Sequence, residues 1–418
     1  MSDTLVRVRN WAGNVTFNAV RLHRPGTLDE LRATVAASRR IRALGSGHSF
    51  STVADTAGDL VRLDRLPRAV RLDPGTATVT VTGGATYAEV AAALEPAGYA
   101  LANLASLPHI SVAGSVATGT HGSGRDLPGL AAAVRAVQLV GPEGDLVELS
   151  RDADPQTFPG AVVALGALGV VTRLTLDVEP SYLVAQHVRV QVPLDEVTEQ
   201  ADEVFSAAYS VSVFTDWSSG EAVVWLKRRT DRPAGEWAGG RAATEPLHPV
   251  PELPADNCTE QLGVPGPWHE RLPHFRPDHV PGSSGELQSE YYLPRDRTAE
   301  AVTALRRLAP TLAPVLQISE LRTVRADDLW LSPAYRRDST TIHFTWETDP
   351  VAVAPAIRAV EAALLPLGAR PHWGKLTAAD PAHIVATYPR ATDFRELTAT
   401  LDPTGTFRNA FLDALFPA

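Results

Sequence analysis

The sequence has very little sulfur and no excess of positive charge. Its 418 residues include one cysteine, Cys258, and one methionine, Met1. A single thiol excludes an internal disulfide and any metal site built from cysteines, and we expect no bound metal. The 38 basic residues are outnumbered by 48 acidic ones, which leaves a net charge of −10. This balance argues against a nucleic-acid partner and against binding to anionic membranes.

Long hydrophobic runs are also missing. The longest one, residues 160–171, contains three glycines and is too short to cross a bilayer. Residues 1–10 are polar and charged, where a signal peptide requires an apolar segment. We therefore expect a cytoplasmic, monomeric chain without membrane contact, and its length predicts two domains.

A helix and a strand lead into a glycine-rich loop. Thr27 and Glu30 form the capping-box pattern that begins a helix ending near Ser38. A strand over 41–44 follows and ends in the loop Gly45-Ser46-Gly47-His48-Ser49. Glycines at this spacing let successive backbone N–H groups approach an anion such as phosphate, and the histidine is a candidate nucleophile or ligand. A solvated loop is the alternative interpretation, because a short glycine motif is weak evidence.

A second stretch rich in small residues, 103–124, shows almost no regular pattern. Such residues bury little apolar surface, so a cofactor lying along the segment would explain the composition, with a flexible linker as the alternative. Elsewhere in this half, periodicity predicts strands at 77–82, 134–140 and 145–149, a helix at 87–95, a helix passing into a strand over 159–171, and a domain boundary at 179–180.

The remainder alternates strands and helices around one irregular segment, residues 231–285. The basic triplet Lys227-Arg228-Arg229 is expected to be a solvated strand end. The predicted strands are 182–192, 211–215, 223–228, 286–293, 315–324 and 340–347, and the predicted helices are 194–209, 297–308 and 352–364.

Polar side chains of three predicted strands share one face, because residues two apart in a strand point the same way. The first strand presents Glu286, Gln288, Glu290 and Tyr292 on this face, and the other two add Glu320, Arg322, His343 and Thr345. This mixture of donors and acceptors suits a ligand with many hydroxyl groups. A solvated sheet face with a surface ion pair is the alternative.

Residues 370–375 place a lysine, Lys375, after a proline, an aromatic residue and a glycine. The lysine is either held rigidly in a site or carried by an exposed loop.

Several motifs together resemble the vanillyl-alcohol-oxidase flavoprotein family, and most closely its bacterial members that oxidise alditols. They are the 45–49 loop, the run from Pro108 to Gly122, His372-Trp373-Gly374-Lys375, and the ending from Asp402 to Asn409. Their order and spacing carry the resemblance, which covers essentially the whole chain. It implies an α+β fold, with an FAD-binding domain made of residues 1–179 and 372–418 and an inserted antiparallel-sheet substrate domain, residues 180–371.

The resemblance also implies roles for individual residues. His48 matches the histidine that is joined covalently to the flavin 8α-methyl group, and no cysteine is present in 102–114 for a second link. The implied FAD-contacting residues are Gly45, Ser46, Gly47, His48, Ser49, Ser106, Ser111, Gly114, Thr118, Gly119, His121, Gly122, Val171 and His372. The implied polyol site consists of Ser106, Gln288, Glu320, Arg322, His343, Thr345 and Lys375.

The activity that the resemblance implies is oxidation of the terminal primary alcohol of an acyclic polyol, such as xylitol or sorbitol, to the aldose, with O₂ reduced to H₂O₂. Arg322 and Lys375 would stabilise developing negative charge, and Glu320 and His343 are the candidates for the hydroxyl proton. The alternatives are a flavin dehydrogenase of sugar lactones with a non-oxygen acceptor, and a flavin-carrying binding protein without turnover.

Overall fold

The computed structural model describes residues 8–233, 235–278 and 285–417. Residues 234 and 279–284, part of the predicted irregular segment 231–285, lie outside the described residues. The described parts of that segment are mostly irregular, interrupted by two short strands.

Strands are numbered in chain order. They are β1 (Arg21–His23), β2 (Ile41–Ala43), β3 (Asp59–Val61), β4 (Val70–Asp73), β5 (Thr78–Thr82), β6 (Tyr99–Ala100), β7 (Gly124–Pro128), β8 (Val134–Val140), β9 (Leu146–Ser150), β10 (Val170–Asp177), β11 (Glu179–Pro180), β12 (Leu183–Pro193), β13 (Ser210–Thr215), β14 (Glu221–Arg229), β15 (Arg241–Ala242), β16 (Pro265–Pro267), β17 (Leu287–Pro294), β18 (Leu316–Arg325), β19 (Ser339–Trp346) and β20 (Arg370–Pro371).

The α-helices are numbered in the same way. They are α1 (Leu28–Ala37), α2 (Tyr87–Leu94), α3 (Val112–Ala117), α4 (Phe158–Val162), α5 (Leu194–Glu199), α6 (Ala201–Ser206), α7 (Thr298–Arg307), α8 (Ala309–Leu312), α9 (Pro350–Leu364), α10 (Pro381–Ala386), α11 (Ala391–Leu401) and α12 (Ala410–Leu415).

Three main sheets organise the chain. The first is parallel and three-stranded, in the order β1-β3-β2, and the second is antiparallel and five-stranded, in the order β4-β5-β10-β8-β9. The third has ten strands, with β15-β12-β14-β13-β18-β19-β17-β20 as its main path, β16 beside β12 and β7 beside β18. These helices and largely antiparallel sheets confirm the α+β class.

Most predicted elements are present, and three predictions are wrong in detail. Thr27 caps α1, but the Glu30 carboxylate accepts a hydrogen bond from the Gly26 N–H instead of completing a capping box. The helix passing into a strand predicted over 159–171 is present: α4 ends at Val162, the chain takes positive φ angles at Leu165 (53°) and Gly166 (69°), and β10 begins at Val170.

The other two wrong predictions are of helices, whose extent or presence sequence periodicity does not predict correctly. The helix predicted over 194–209 is two helices, α5 and α6, separated at Gln200, whose backbone (φ −118°, ψ 35°) is not helical. The segment 103–124, predicted to be irregular, contains α3. Its Val112 and Val116 are both buried. Tertiary packing therefore stabilises this helix, although its small residues do not predict one.

The C-terminal helices α10–α12 pack on the N-terminal part of the chain. Ile384, Phe394 and Leu412 share one hydrophobic cluster with Val79 of β5 and Val137 of β8. The Ile41 N–H also donates to the Thr406 carbonyl over 2.9 Å. The two ends of the chain therefore form one core beside the ten-stranded sheet.

One segment of the described residues, 350–367, is long and apolar enough by composition to cross a bilayer, which is weak evidence for a membrane span. Its α9 portion buries one face, including Val353, Val360 and Leu364, in the core against the ten-stranded sheet. On the same buried face, Glu361 accepts a hydrogen bond from the Tyr291 hydroxyl. This pattern is that of an amphipathic core helix.

Candidate active site

A cavity of about 1200 Å³ lies between the glycine-rich segments and the ten-stranded sheet. All site residues predicted from the sequence line it, with the exception of Gly119 and Gly122. These two glycines instead pack closely on protein: a Cβ would lie 3.0 Å from Pro333 Cδ at Gly119 and 2.2 Å from Asn103 Oδ1 at Gly122.

The 45–49 loop is held against α3 by reciprocal hydrogen bonds. The Ser46 N–H donates to Ser111 Oγ (3.4 Å), and the Ser111 N–H donates to Ser46 Oγ (3.2 Å). A Cβ at Gly45 or Gly114 would lie only 2.4 or 2.7 Å from Ser111 Oγ. The glycines are therefore required for the two segments to approach this closely and to leave backbone facing the cavity.

Arg42, just before this loop, anchors it from behind. Its guanidinium is 3% exposed and donates to the carbonyls of Val53, Leu165, Gly166 and Phe407. Burial lowers the pKa of Arg42 to about 10, so the group stays charged at neutral pH and ties the loop to both ends of the chain.

His48 has the properties of a nucleophile. Its half-buried ring stacks on Trp11, with centroids 4.9 Å apart. Burial, followed by the charges of Lys375 and His109, lowers the pKa of His48 to about 4. Its buried Nδ1 has no hydrogen-bond partner among the described residues. At neutral pH the imidazole is therefore uncharged, and it is free of competing bonds at this nitrogen.

The three polar strands are neighbours in the ten-stranded sheet, as the shared face predicts. Gln288 of β17 pairs with Thr345 of β19, and His343 of β19 lies between Glu290 of β17 and Glu320 of β18. The common face of these strands is confirmed, and it forms one wall of the cavity.

Glu290 lies at the centre of this face. The sequence predicts its place on the face but does not identify it as a site residue. It is 2% exposed and accepts hydrogen bonds from Arg322 Nη2 (3.1 Å) and His121 Nε2 (2.9 Å). Burial opposes its ionisation, but His121, His343 and Arg322 outweigh burial and hold the pKa of Glu290 well below its usual range. Strand alternation is the sequence feature that indicates Glu290. Its importance is not evident from the sequence, because its partner His121 is distant along the chain.

Glu320 holds the other side of Arg322. Its Oε1 lies 3.5 Å from Arg322 Nε and accepts a hydrogen bond from His274 Nε2 over 2.8 Å. Burial opposes ionisation here too, but Arg322 and then His274 lower the pKa of Glu320. Arg322 therefore lies between two buried carboxylates, and its Nη1 donates to Ser106 Oγ over 3.4 Å.

Behind Glu320, the prediction for the basic triplet is wrong. Lys227 is 1% exposed and Arg229 is 7% exposed. The Lys227 ammonium contacts His274 Nδ1 (3.1 Å) and donates to a backbone carbonyl at Pro273, whereas Arg229 pairs with carboxylates. The loop that carries His274 covers Lys227. Strand periodicity gives no indication of this contact.

Lys375 is held in the cavity wall, so the exposed-loop alternative is wrong. Its Nζ donates to Gln288 Oε1, and burial lowers its pKa. The His372 N–H donates to the Glu290 carbonyl over 2.9 Å. The neighbouring Trp373 is 4% exposed, so this segment continues the polar face.

The arrangement fits a long, partly apolar cofactor next to a small polar ligand. The glycine segments leave backbone exposed along the cavity where a side chain would clash, and His48 offers an uncharged nitrogen there. The residues present therefore fit an FAD group, with the 45–49 loop, 111–118 and His48 to hold it.

Comparisons with known proteins agree with this geometry. Residues 21–150 match the family model of an FAD-binding domain, and residues 286–415 match that of D-arabinono-1,4-lactone oxidase. The chain is 51% identical to alditol oxidase of Streptomyces sp., over 97% of this chain and 98% of that protein. It is 28% identical to L-gulono-1,4-lactone dehydrogenase of Mycobacterium tuberculosis, over 96% of this chain and 97% of that protein.

The fold has counterparts among solved structures. A solvent-stable cholesterol oxidase superimposes with a TM-score of 0.79 at 17% identity, covering 97% of this chain and 96% of that one. Because that identity is low, this likeness supports the fold alone, whereas the 51% identity to alditol oxidase extends over almost the full length of both proteins. The chain belongs to the vanillyl-alcohol-oxidase type of FAD-dependent oxidoreductases, and within it to the alditol oxidase family.

Proposed function

We propose that this enzyme oxidises the terminal primary alcohol of an acyclic polyol, such as xylitol or sorbitol, to the aldose, with O₂ reduced to H₂O₂. The supporting observation is the polar wall of the cavity, where neighbouring strands and the 372–375 segment present donors and acceptors of many kinds. Its members are Ser106, Gln288, Glu320, Arg322, His343, Thr345 and Lys375.

The charged residues of this wall support distinct roles. Bound FAD supplies a two-electron acceptor that O₂ reoxidises. Arg322, fixed between Glu290 and Glu320, stabilises the negative charge that develops on the substrate oxygen, together with Lys375. Glu320, held ionised, and His343, whose pKa is lowered by burial, are the two candidates to accept the hydroxyl proton.

We further propose that FAD is attached covalently through His48. His48 is uncharged at neutral pH and has an unpartnered Nδ1. His121, also in the cavity wall, has both ring nitrogens engaged, at the Gly122 carbonyl (2.7 Å) and at Glu290 (2.9 Å). The structure therefore favours His48 over His121 as the attachment point.

The domain division at 179/180 and 371/372 is likewise a proposal, supported by the packing of α10–α12 on the N-terminal core. The cytoplasmic location and the monomeric state stay predictions from the sequence.

An anaerobic experiment followed by an aerobic one tests the reaction. Xylitol should bleach the bound flavin under argon, and admitting O₂ should restore the colour with one H₂O₂ formed per flavin. Failure to bleach with any polyol or sugar lactone would indicate a binding protein. Bleaching without recovery in O₂ would indicate a dehydrogenase.

The match of residues 286–415 to a lactone oxidase family makes a sugar lactone the second candidate substrate. Faster bleaching by an aldonolactone than by xylitol would support the lactone and contradict the polyol.

A further inference from the structure

A buried lysine and histidine lie directly behind the polar wall. His274 lines the cavity beside Glu320, and Lys227 lies on its far side. The His274 ring packs edge-to-face against both Phe214 and Trp225, with centroid distances of 5.7 and 5.2 Å. Its backbone N–H donates to the Ser106 carbonyl over 3.1 Å. The ring is therefore fixed in orientation.

The hydrogen bonds define which nitrogen of His274 carries the proton. The Lys227 ammonium donates to the carbonyls of Leu272 and Pro273 and directs its third proton at His274 Nδ1, 3.1 Å away. Nδ1 must accept, so the proton is on Nε2, which donates to Glu320 Oε1 over 2.8 Å. The reverse tautomer would direct a lone pair at the Glu320 carboxylate.

The charges around Lys227 and His274 also favour a charged lysine beside a neutral histidine. Lys227 faces Glu320, the Cys258 thiol and Arg322, besides His274. Burial raises the pKa of Cys258 to about 12, so the thiol is uncharged. Burial lowers the pKa of His274 to about 4, against the opposing effect of Glu320, and lowers that of Lys227 to about 7. At pH 6 the lysine is therefore charged and the histidine neutral.

We propose that Lys227 and His274 are positioning residues of the oxidation reaction: Lys227 fixes His274 as an Nε2–H donor, which keeps Glu320 ionised and turned towards Arg322. The inference rests on the proposed polyol site, because Glu320 and Arg322 act there. Without this N–H donor, Glu320 would keep the charges of Arg322, Lys227 and Lys375 nearby but would lose the hydrogen bond that orients its Oε1.

A matched pair of variants tests the role in catalysis. His274→Gln keeps an N–H donor towards Glu320, whereas His274→Leu removes it. Anaerobic stopped-flow reduction by xylitol is followed from pH 5 to 9 for both variants and the wild type. We expect the limiting rate of His274→Leu to fall roughly 10- to 100-fold, as loss of a hydrogen bond to a charged group implies.

The pH profile separates positioning from general structural damage. In His274→Leu the acid limb should move to higher pH, because the pKa of Glu320 rises when its donor is lost. His274→Gln should keep the wild-type profile within a few-fold in rate. A wild-type profile in His274→Leu would overturn the proposal.

A spectroscopic measurement decides the tautomer without turnover. In ¹⁵N-histidine-labelled wild-type holoenzyme at pH 6, the signal that disappears in His274→Gln should be a neutral ring protonated at Nε2. Lys227→Met should convert part of this signal to the other tautomer. An imidazolium, or a ring protonated at Nδ1, in the wild type would overturn the proposal. Failure of xylitol to reduce the wild-type flavin would instead reject the proposed function, and the NMR result would still stand.

Discussion

At the scale of single residues, the site depends on how a buried cation is compensated. Arg322 is 7% exposed and lies between the carboxylates of Glu290 and Glu320. An isolated charge in such a place is costly, whereas a paired one is held in a fixed orientation. The two carboxylates therefore hold the guanidinium in a fixed orientation, which the proposed reaction requires for stabilising a developing oxyanion.

Arg322→Ala should slow flavin reduction by several orders of magnitude. It removes the cation between two buried carboxylates, which keep only their histidine partners His121 and His274, at a cost of a few kcal/mol. Thr345→Ala, the matched control on the same face, removes one neutral hydrogen bond worth roughly 0.5–1.5 kcal/mol and should mainly weaken substrate binding. Anaerobic stopped-flow reduction with xylitol compares the two. A near-normal limiting rate for Arg322→Ala would place the catalytic face elsewhere.

His48→Ala should release FAD when the protein is denatured, whereas wild-type FAD should stay with the chain. The reason is that a neutral imidazole with a free nitrogen is the proposed attachment point. The measurement is absorbance of the supernatant after precipitation in acid, with His121→Ala as the control that retains the link. Yellow supernatant from the wild type would disprove covalent attachment.

At the scale of elements, the cavity depends on close approaches between backbone segments. Gly83, after β5, donates its N–H to the Thr172 carbonyl over 2.8 Å, and a Cβ there would lie 2.1 Å from the carbonyl oxygen of Val171. Both Gly83 and Val171 line the cavity. Where the five-stranded sheet meets the cavity, the backbone at Gly83 therefore leaves no space for a side chain.

Gly83→Ala should lower the free energy of unfolding by about 1–3 kcal/mol, the usual cost of overpacking, and reduce the flavin content of purified protein. Gly26→Ala is the control, because its Cβ would meet only Glu30 Oε2 at 3.6 Å. Urea unfolding and the flavin-to-protein absorbance ratio provide the measurements. Equal stability of both variants would show that the strands separate easily at this point.

Strand periodicity predicts the strands and their shared face well. Helical periodicity predicts the helices less well. The period of two placed Gln288, Glu320 and His343 on one face, and the sheet register confirms it. Helix α3 is not predicted from the sequence, because its six residues include a glycine and a serine. Its formation depends on burial of Val112 and Val116, which sequence spacing alone does not show.

At the scale of the whole molecule, what the sequence could not show is contact between distant segments. Lys227 lies in a run of basic residues that indicates solvent exposure, yet loop residues from 272 to 274 cover it. Glu290 gains its importance from His121, 169 residues earlier. Such contacts arise only when the two chain ends and the ten-stranded sheet close around the cavity.

The buried histidines predict how stability depends on pH. Burial lowers the pKa of His274 to about 4 and of His372 to about 3, so the unfolded chain binds protons at a higher pH than the folded one. Their contribution is present above pH about 6.5 and is lost as pH falls towards 4, with roughly 1.4 kcal/mol per pH unit for each.

The holoenzyme should therefore unfold at lower urea concentration at pH 5 than at pH 7. Glu290 and Glu320, whose pKa values are depressed, lose their contribution only below the usual glutamate range. Over the interval from 6.5 to 4.5, Asp327, whose pKa burial raises to about 6, acts in the opposite direction and offsets part of the histidine contribution. An unchanged or higher midpoint at pH 5 would contradict neutral burial of these rings.

The most direct test of the polyol site compares substrates that differ in hydroxyl groups. A wall of hydrogen-bonding side chains rejects a ligand that leaves its buried polar groups unpaired, by factors much larger than a missing methylene produces. Efficiency of anaerobic flavin reduction by wild-type holoenzyme should therefore be about 10³-fold or more higher for xylitol and sorbitol than for 1-butanol. Equal efficiency with 1-butanol would contradict a polyol site on this face.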